Sequence, residues 1–411
     1  MMIFLFENLK KKIKNKFGLR IFNLLKKIFR FNLYIFLFTI YLIPALFFKI
    51  LNYRFPTFQT SRIGHIIDES ETFIKEKKLG LINFNSIMLA PKNQIANIHA
   101  LRLFNKYHIL ILNPILCKIL NGLRFHPLTK YDVRKYLVSI NSASYFHKIN
   151  KRWGNRGSIL SKSQIANYEH YEKLRSLGVQ KNSWYVCVHA RDAGYSPLDE
   201  DDHKFRNARI EDYYKSMDFI IQNGGYCIRF GDKTMKPIKS KDGYIDYAKS
   251  EFKSNEMDLF LAGSCRFFIG SDSGPRGMAG VFGVPIACAN LAPLGNSYVR
   301  NKGDIGIPKL YKYKTNGNLI KFSEIMQNES SYYRHNEQFI KNNIILIDNS
   351  DDEILDLVKE QYFSITKKLR VSSEEEELQL KFRKLFTKKH YSYYSDSIIS
   401  YSFLKKYRYL L

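Results

Sequence analysis

The segment of this chain best suited to chemistry is Ser271–Arg276, which follows the apolar run Arg266–Gly270. The pattern predicts a buried strand, a short polar turn and a helix that begins near Arg276. Such a turn presents free backbone N–H groups and the positive end of a helix to whatever lies above the sheet, which favours a phosphate. The segment therefore indicates an anion-binding site.

The side chains of this turn fit a diphosphate. The hydroxyls of Ser271 and Ser273 are hydrogen-bond donors, and Gly274 lets the backbone approach a ligand closely. The planar guanidinium of Arg276 suits bidentate contact with a second phosphate. An ordinary helix cap is the alternative, because it explains Asp272 and Ser273 without any ligand.

A second polar group follows the apolar strand predicted over Trp184–His189. Ligands of open parallel sheets bind beyond the carboxyl ends of the strands, where His189 and Arg191 are expected to lie. Arg191 would be placed for a diphosphate, and Asp192 would either orient it or form only a surface ion pair. A lone histidine is more often structural, but the grouping of these residues favours a binding site.

Two further segments extend the candidate site. Gly231 and Asp232 follow the next predicted strand, Tyr226–Phe230, and would lie beside the first two groups in a parallel sheet. Arg206 and Asn207 precede a predicted helix; Asn207 caps this helix, or both side chains face the cleft. Convergence of several strand ends is stronger evidence than any one motif.

The N-terminal half offers a candidate general base. Ser61–His65 predicts a glycine turn after a short strand, with His65 or a nearby carboxylate, Asp68 or Glu69, as the base. A helix-capping loop is an equally good interpretation. Asp199–Asp202 contains a spacing that can hold a divalent cation, but its polar surroundings favour a solvated acidic turn.

Short apolar runs alternate with helical stretches through most of the chain, which predicts the α/β class: parallel sheets with covering helices, arranged as two doubly wound domains. The predicted strands are Ser86–Ala90, Ile109–Leu112, Trp184–His189, Tyr226–Phe230, Arg266–Gly270 and Ile286–Ala289. The predicted helices are Glu69–Lys77, Ala96–Phe104, Ile115–Leu120, Ser158–Leu177, Glu211–Gln222, Met257–Ala262 and Gly277–Phe282. The expected segments are a membrane anchor (1–52), an N-terminal domain (53–178), a C-terminal domain (183–330) and a helical C-terminal extension (331–411).

Composition excludes several classes of protein. Of the 411 residues, 45% are hydrophobic and 25% are charged, so the chain is globular rather than disordered. Its 22 glycines, 11 prolines and five cysteines are too few for a collagen-like or disulfide-framework protein. The cysteines show no CxxC spacing, which predicts buried reduced thiols, a reducing compartment and no zinc site.

The formal charge of +27 is concentrated partly at the N-terminus. Cations are interleaved with apolar residues up to Arg30, a pattern suited to an anionic membrane surface. The uncharged run Phe31–Phe48 is slightly shorter than the ~20 apolar residues of a spanning helix. We expect residues 1–52 to attach the protein to the cytoplasmic face of a membrane; a single membrane pass and a buried core helix are the alternatives.

Taken together, these segments resemble a family of bacterial proteins classed as glycosyltransferases. The shared motifs are Arg62–His65, His189–Asp192, Phe205–Ala208, Arg229–Asp232 and Ser271–Gly274, with a C-terminal tail like Ser402–Leu404 and Leu410–Leu411. More distantly, His189 and Arg191 are similar to the donor-binding motif of fucosyltransferases, although Asp192 stands in place of its second arginine. Asp272–Gly274 is similar to the nucleotide-sugar loop of heptosyltransferases.

This resemblance implies a GT-B-like fold, in which two Rossmann-like domains face a cleft and the C-terminal domain holds the donor. It implies metal-independent transfer of a sugar from a nucleotide-diphosphate donor to a hydroxyl of a glycan or lipid-linked acceptor, in surface polysaccharide synthesis, with no cofactor. The catalytic residues would be His65, Arg191 and Asp272. The donor-binding residues would be His189, Arg191, Asp192, Arg206, Asn207, Gly231, Asp232, Ser271, Asp272, Ser273, Gly274 and Arg276.

Two other functions are alternatives to sugar transfer. A nicotinamide-dependent oxidoreductase is disfavoured because no GxGxxG motif follows an early strand. A non-enzymatic basic protein that binds a membrane surface or nucleic acid is the main alternative. No compact nucleic-acid-binding module is recognisable, so nucleic acid is not an expected partner.

Overall fold

The computed structural model describes residues 23–28, 32, 35–36, 38–137, 141–194 and 200–411. Most of the predicted basic segment, part of the apolar run that follows it, and Asp199 lie outside these residues. Residues 38–50 form a helix that precedes the first strand. Among the described residues, no helix combines the length and the apolar character needed to cross a membrane.

The strands of the described residues are short, as expected of a sheet that alternates with helices. They are β1 (Tyr53–Pro56), β2 (Asn85–Leu89), β3 (Ile109–Ile111), β4 (Lys130–Tyr131), β5 (Trp184–His189), β6 (Gly225–Arg229), β7 (Tyr244–Ile245), β8 (Phe268–Gly270), β9 (Ile286–Leu291), β10 (Ile305–Pro308), β11 (Leu310–Tyr313), β12 (Ile344–Ile347) and β13 (Ile398–Ile399).

The α-helices that follow β1 are distributed along the whole of the remaining chain. They are α1 (Ile63–Lys78), α2 (Ile98–Arg102), α3 (Pro114–Leu120), α4 (Tyr145–Trp153), α5 (Tyr168–Ser176), α6 (Glu200–His203), α7 (Tyr214–Gln222), α8 (Asn255–Ser264), α9 (Pro275–Gly280), α10 (Phe322–Gln327), α11 (Asn336–Lys341), α12 (Asp351–Ile365), α13 (Ser373–Lys384) and α14 (Tyr401–Lys406).

The described chain divides into two compact units. The smaller unit draws on Met1–Thr57, Phe84–Asn93 and His108–Asp132, and it contains a four-stranded parallel sheet in the order β3-β2-β1-β4. Its core is formed by the buried side chains of Ala45, Phe55, Ile87, Leu89, Cys117 and Leu123.

The larger unit draws on Phe58–Asn83, Gln94–Tyr107 and Val133–Leu411. Its seven-stranded sheet has the order β13-β10-β9-β8-β5-β6-β7, and every neighbouring pair is parallel. The inner strands are nearly continuous apolar runs because both faces of a parallel sheet are covered. Thus five of the six residues of β5 are buried. A separate antiparallel pair joins β11 to β12.

The chain changes direction across this sheet at β5. It runs from β5 to β6 and β7 on one side, and then returns to β8 on the other side of β5. His189 at the end of β5 is in register with Gly270 at the end of β8. Ligands of open α/β sheets bind at such a switch point, beyond the carboxyl ends of the strands. The mixed α/β class with parallel sheets is confirmed, and its topology places the candidate segments at the expected edge.

Several local predictions differ from the structure. The helix predicted over Ser158–Leu177 is α-helical only over Tyr168–Ser176. Of the two interpretations of Ser61–His65, the structure matches the helix-capping one: Arg62 is the N-cap residue of α1, and β1 ends several residues earlier. Ile63 is β-branched and Gly64 is a poor helix former, so local propensity concealed the start of the helix. The C-terminal extension is also not purely helical, because it supplies β12 and the edge strand β13. These strands are too short to show a clear period.

All five cysteines are buried, and none forms a disulfide with a described residue. Cys187, Cys227 and Cys288 lie in β5, β6 and β9, as the apolar runs around them indicated. The prediction that the cysteines are buried is confirmed, and their reduced state stays a prediction. The division of the chain into four consecutive segments stays a prediction.

Candidate functional site

A cavity of about 650 Å³ lies in the larger unit, at the carboxyl ends of β5, β6 and β8. Its wall also includes the first turn of α1 and the turn that leads into α9. The structure thus brings together residues that are far apart in sequence. The predicted site residues that line the cavity are His65, His189, Arg191, Asp192, Arg206, Gly231, Asp232, Asp272, Ser273, Gly274 and Arg276.

Two helix N-termini meet at this cavity. A Cβ built on Gly64 in α1 would lie 3.2 Å from the Cα of Gly274, the N-cap of α9. In the described chain, neither N-cap residue, Arg62 of α1 or Gly274 of α9, caps its helix through a side chain. In α9 the first residue, Pro275, has no N–H, and the N–H of Gly277 donates to the carbonyl of Gly274 at 3.0 Å. The first turn of α1 is therefore the main source of backbone N–H groups here, and each helix end contributes a partial positive charge.

Asp272 holds two arginines at the cavity wall. Its carboxylate lies 2.7 Å from Nη2 of Arg276 and 3.2 Å from Nε of Arg206. Arg206 also donates to the backbone carbonyl of Asp272 from Nη2, at 2.7 Å. Burial would raise the pKa of Asp272, but Arg206, Arg276 and Arg191 outweigh that effect and lower it. Asp272 is therefore ionised, and it can position cations but cannot itself stabilise a developing negative charge.

Two of the predicted site residues, Ser271 and Asn207, do not line the cavity but hold Arg191 in place. Its backbone N–H donates to Oγ of Ser271 at 2.9 Å, and its guanidinium donates to Oδ1 of Asn207 and, at 3.3 Å, to the carbonyl of His203. Ser271 is fully buried. In this structure the Ser271 hydroxyl supports Arg191, and its contact with a ligand stays a prediction. Asn207 orients Arg191 instead of capping a following α-helix.

His189 lies in the cavity wall as a neutral side chain with one unused acceptor atom. Its Nδ1 donates to the carbonyl of Phe230 at 3.0 Å, so Nε2 carries the lone pair. Nε2 is buried and has no hydrogen-bond partner among the described residues. Burial, partly opposed by the bond to Phe230, lowers the pKa of His189 to about 4. This side chain therefore suits a hydroxyl or N–H group of a ligand and not its phosphates.

His65 lies in the first turn of α1 with a carboxylate behind it. Nδ1 of His65 is 2.7 Å from Oε1 of Glu69, and Oε2 of Glu69 accepts the backbone N–H of Gln59 at 2.9 Å. Burial raises the pKa of Glu69, and His65 partly opposes that rise. The side chain of His65 is 26% exposed, so its ring remains accessible from the cavity. A base oriented by a third group is the usual arrangement for proton abstraction.

The other carboxylate considered as a base, Asp68, is engaged elsewhere. It forms an ion pair with Nη1 of Arg300, and Nη2 of Arg300 pairs in turn with Glu71. Asp68 lines the same cavity as His65. Because its charge is already balanced by a buried arginine, it is a weaker candidate for accepting a proton than His65.

Several residues of the wall were not predicted from the sequence, among them Phe146, His147, Lys253, Arg300 and Tyr391. They come from segments without a strand–turn–helix pattern, so no local signal placed them near the strand ends. Where it is described, the acidic run forms α6 and not a turn. Asp201 and Asp202 are exposed, as expected of solvated residues, and Asp202 lies 2.6 Å from Nδ1 of His335. Asp199 lies outside the described residues.

No protein-family model matches the chain, and no curated protein matches it. Three solved glycosyltransferases are similar to it in structure. ADP-heptose LPS heptosyltransferase II of E. coli is 9% identical, with a TM-score of 0.36 over 58% of this chain and 84% of that one. The iron-containing dodecameric glycosyltransferase TibC of enterotoxigenic E. coli H10407 is 11% identical, with a TM-score of 0.37 over 60% of each chain. A glycosyl transferase of family 9 from Veillonella parvula DSM 2008 is 14% identical, with a TM-score of 0.32 over 70% of this chain and 78% of that one. Because these scores are low, the function proposed below rests on the geometry of the cavity.

Proposed function

We propose that this protein transfers a sugar from a nucleoside-diphosphate donor to a hydroxyl acceptor. The observation that carries the proposal is the cavity at the switch point of the seven-stranded sheet, where Arg206 and Arg276 pair with the carboxylate of Asp272 and Arg191 lies close enough to lower its pKa. Around Asp272 the cations outnumber the carboxylate, which leaves a local positive excess at the place where such folds bind ligands. The motifs that resemble bacterial glycosyltransferases fall on these same residues.

The geometry suits stabilisation of a leaving diphosphate. When the bond between the anomeric carbon and the phosphate oxygen breaks, its electron pair moves to the diphosphate. Guanidinium groups that are already fixed, together with the N–H groups at the beginning of α1 and the partial positive charge of the α9 terminus, stabilise that charge more strongly as it develops. Arg276 and Arg206 are held by Asp272, and Arg191 is held by Asn207. They need little rearrangement during the reaction.

The non-phosphate part of the donor would be recognised by His189. Its unpartnered Nε2 accepts a hydrogen bond, and a buried acceptor left unpaired is costly. A ribose or sugar hydroxyl would supply the missing donor. A cavity that combines cations with a neutral acceptor fits a nucleotide sugar better than inorganic phosphate.

The acceptor would be activated by His65. In this proposal its ring takes the proton of the acceptor hydroxyl while the oxygen forms a bond to the anomeric carbon. Glu69, 2.7 Å from Nδ1, orients the ring and stabilises the imidazolium that results. The diphosphate leaves with the electron pair of the broken bond, so the charges balance without a further reactant.

Several finer features belong to the same proposal. They are a GT-B arrangement of two Rossmann-like domains, a glycan or lipid-linked acceptor, a role in polysaccharide synthesis, and attachment to the cytoplasmic face of a membrane. Metal independence is proposed because the guanidinium groups already supply the positive charge that a divalent cation would bring.

A thermal-shift screen of the full chain against UDP, GDP, ADP, CMP and dTDP tests the proposal. A ligand that binds only the folded state stabilises it by about 2.7 kcal/mol at a hundredfold excess over Kd. We expect one nucleotide to raise Tm for the wild type and not for Arg191→Ala, whereas Arg408→Ala, at an exposed arginine outside the cavity, keeps the shift. The absence of a shift with every nucleotide, or tighter binding of DNA than of nucleotides, would contradict the proposal.

A further inference from the structure

Large apolar side chains are unusually exposed on two helical segments of the smaller unit. Soluble proteins seldom expose a contiguous apolar patch, and such a patch commonly marks an interaction site. We call these eight residues the apolar face. They are Ile43 (79% exposed), Leu46 (43%), Phe47 (57%) and Ile50 (80%) of helix 38–50, Ile115 (69%), Leu116 (48%) and Ile119 (56%) of α3, and Phe125 (56%).

Helix 38–50 is apolar on both sides. Ile43, Phe47 and Ile50 recur at the spacing of one helix face. On the opposite side Ala45 is fully buried, and Phe48 packs edge-on against Phe55 with 4.9 Å between ring centroids. The core of the smaller unit therefore uses only one face of this helix. The other face needs a different apolar environment.

Helix α3 lies beside this helix. The hydroxyl of Tyr41 donates to the carbonyl of Ile119 at 2.6 Å, and a Cβ on Gly122 would collide with the ring of Tyr41. Phe38 stacks on His126 at 4.7 Å. Within α3, Cys117 is buried while its neighbours Ile115, Leu116 and Ile119 are exposed. The exposed apolar side chains of the two helices therefore belong to adjacent parts of one surface.

The charged residues of the smaller unit indicate which kind of partner suits the apolar face. Asp132 is the one acidic residue among the described residues of the smaller unit. Several lysines of the unit are exposed: Lys26, Lys27, Lys49, Lys92, Lys118 and Lys130. An apolar face on a body that carries exposed cations and almost no acids is complementary to a bilayer containing anionic lipids.

We propose that helix 38–50 and α3 together form a docking surface that lies in the interface of an anionic bilayer. The new element is α3, which adds a second contact from a segment later in the chain than the predicted anchor. With 7 residues, α3 is too short to span a bilayer and can only lie in its interface. The surface does not depend on the proposed sugar transfer, because none of its residues lines the cavity.

Sedimentation of the full chain with vesicles tests the proposal. The two vesicle types are phosphatidylcholine alone and phosphatidylcholine mixed with phosphatidylglycerol. We expect the wild type to bind the anionic vesicles more tightly than the neutral ones. The double variant Ile115→Gln/Ile119→Gln should bind the anionic vesicles at least about tenfold more weakly, because two exposed isoleucines no longer enter the apolar phase.

A matched control is the double variant Ile340→Gln/Leu380→Gln, which changes two similarly exposed apolar residues of the larger unit (62% and 61% exposed). This control should bind the anionic vesicles as tightly as the wild type. Circular dichroism confirms that both double variants are folded. Equal vesicle binding by the Ile115/Ile119 variant and the wild type would overturn the proposal. So would loss of a dimer, seen by light scattering, with vesicle binding unchanged, because the occupant would then be a second copy of the chain.

Discussion

Gly64 and Gly274 bring the beginnings of two helices into direct backbone contact. A Cβ on Gly64 would lie 3.2 Å from the Cα of Gly274, and a Cβ on Gly274 would lie 3.2 Å from the backbone nitrogen of Gly64. Both contacts are with main-chain atoms, which cannot rotate away as a flexible side chain can. The close approach places the candidate base His65 in the same cavity as the arginines that would face the diphosphate.

Gly64→Ala is expected to separate the two helix ends slightly. The shift displaces His65, so we expect kcat to fall by roughly tenfold or more and stability to fall by about 1–3 kcal/mol. Steady-state kinetics and urea unfolding measure the two effects. Gly157→Ala is the control, because an added Cβ there meets no described atom within 4 Å and it is not in the cavity wall. Unchanged kcat in Gly64→Ala would show that the contact has no catalytic consequence.

Arg191→Ala removes a cation that we expect to stabilise the leaving diphosphate. The loss of such a group should lower kcat by roughly 10²–10³-fold. Asn207→Ala keeps the cation but removes the acceptor that orients it, so a smaller loss of about tenfold is expected, mainly in kcat.

Asn207→Asp retains the oxygen that accepts from Arg191, so it should recover most of the activity of the wild type. If Asn207→Ala and Asn207→Asp were equally impaired, Asn207 would not act through its acceptor oxygen. Arg408→Ala, which changes an arginine paired with Glu374 outside the cavity, controls for loss of a surface charge.

His65→Ala should lower kcat by roughly 10²–10⁴-fold, the usual contribution of a general base, while the affinity for the nucleotide changes little. Glu69→Gln should cost less, about tenfold, because the ring keeps a hydrogen-bond partner but loses the negative charge behind it. The two effects should not add in the double variant, since the residues act as one unit. Near-normal turnover in His65→Ala would remove it from the role of base.

Stability should fall on acidification because of buried histidines. Burial, reinforced by Arg276 and Arg383, lowers the pKa of His147 from 6.5 to about 3. Between these values the unfolded chain binds a proton that the folded chain does not, so the free energy of unfolding decreases as pH falls below 6.5.

The resulting loss is about 2 kcal/mol from this residue between pH 7 and pH 5. His147→Gln cannot titrate, so its stability should fall less than that of the wild type over this interval, as measured by urea unfolding at each pH. Acids and the remaining histidines titrate in both proteins and cancel in the comparison. Parallel pH profiles would mean that the folded protein accommodates a protonated His147.

Chelation tests the proposed source of positive charge. If the arginines around Asp272 stabilise the diphosphate, EDTA in excess over any divalent cation should leave kcat within about twofold of its value with Mg²⁺. The assay measures sugar transfer with and without EDTA, and its donors are sugar derivatives of the nucleotide identified by thermal shift. A loss restored only by Mg²⁺ or Mn²⁺ would assign part of the charge stabilisation to a metal.

The positions of the strand ends could be predicted from the sequence, because β5 is a long apolar run with a sharp polar boundary. The length of this run and its polar boundary alone therefore placed His189 and Arg191 at the carboxyl end of a strand. The neighbour relations of the strands could not be predicted in the same way. That β8 lies directly beside β5 depends on how the chain returns across the sheet, which no local pattern encodes.

The same limit applies to the surroundings of Ser271. Its type and position suggested a ligand contact, but the pairing of β5 with β8 turns its hydroxyl towards the backbone of Arg191. Arg300 was missed for a related reason. Its partners, Asp68 and Glu71, lie in α1, so the ion pairs form only after distant segments pack together.

The edge strand β13 has a consequence for biosynthesis. Ile398 and Ile399 pair with β10, whose own residues, Ile305–Pro308, emerge from the ribosome long before them. Until the late segment arrives, one side of β10 exposes unpaired N–H and C=O groups, which can recruit a strand from another nascent chain. Co-translational folding of the larger unit therefore stays incomplete until Ile398 and Ile399 have been made, and products terminated before them are expected to depend on chaperones.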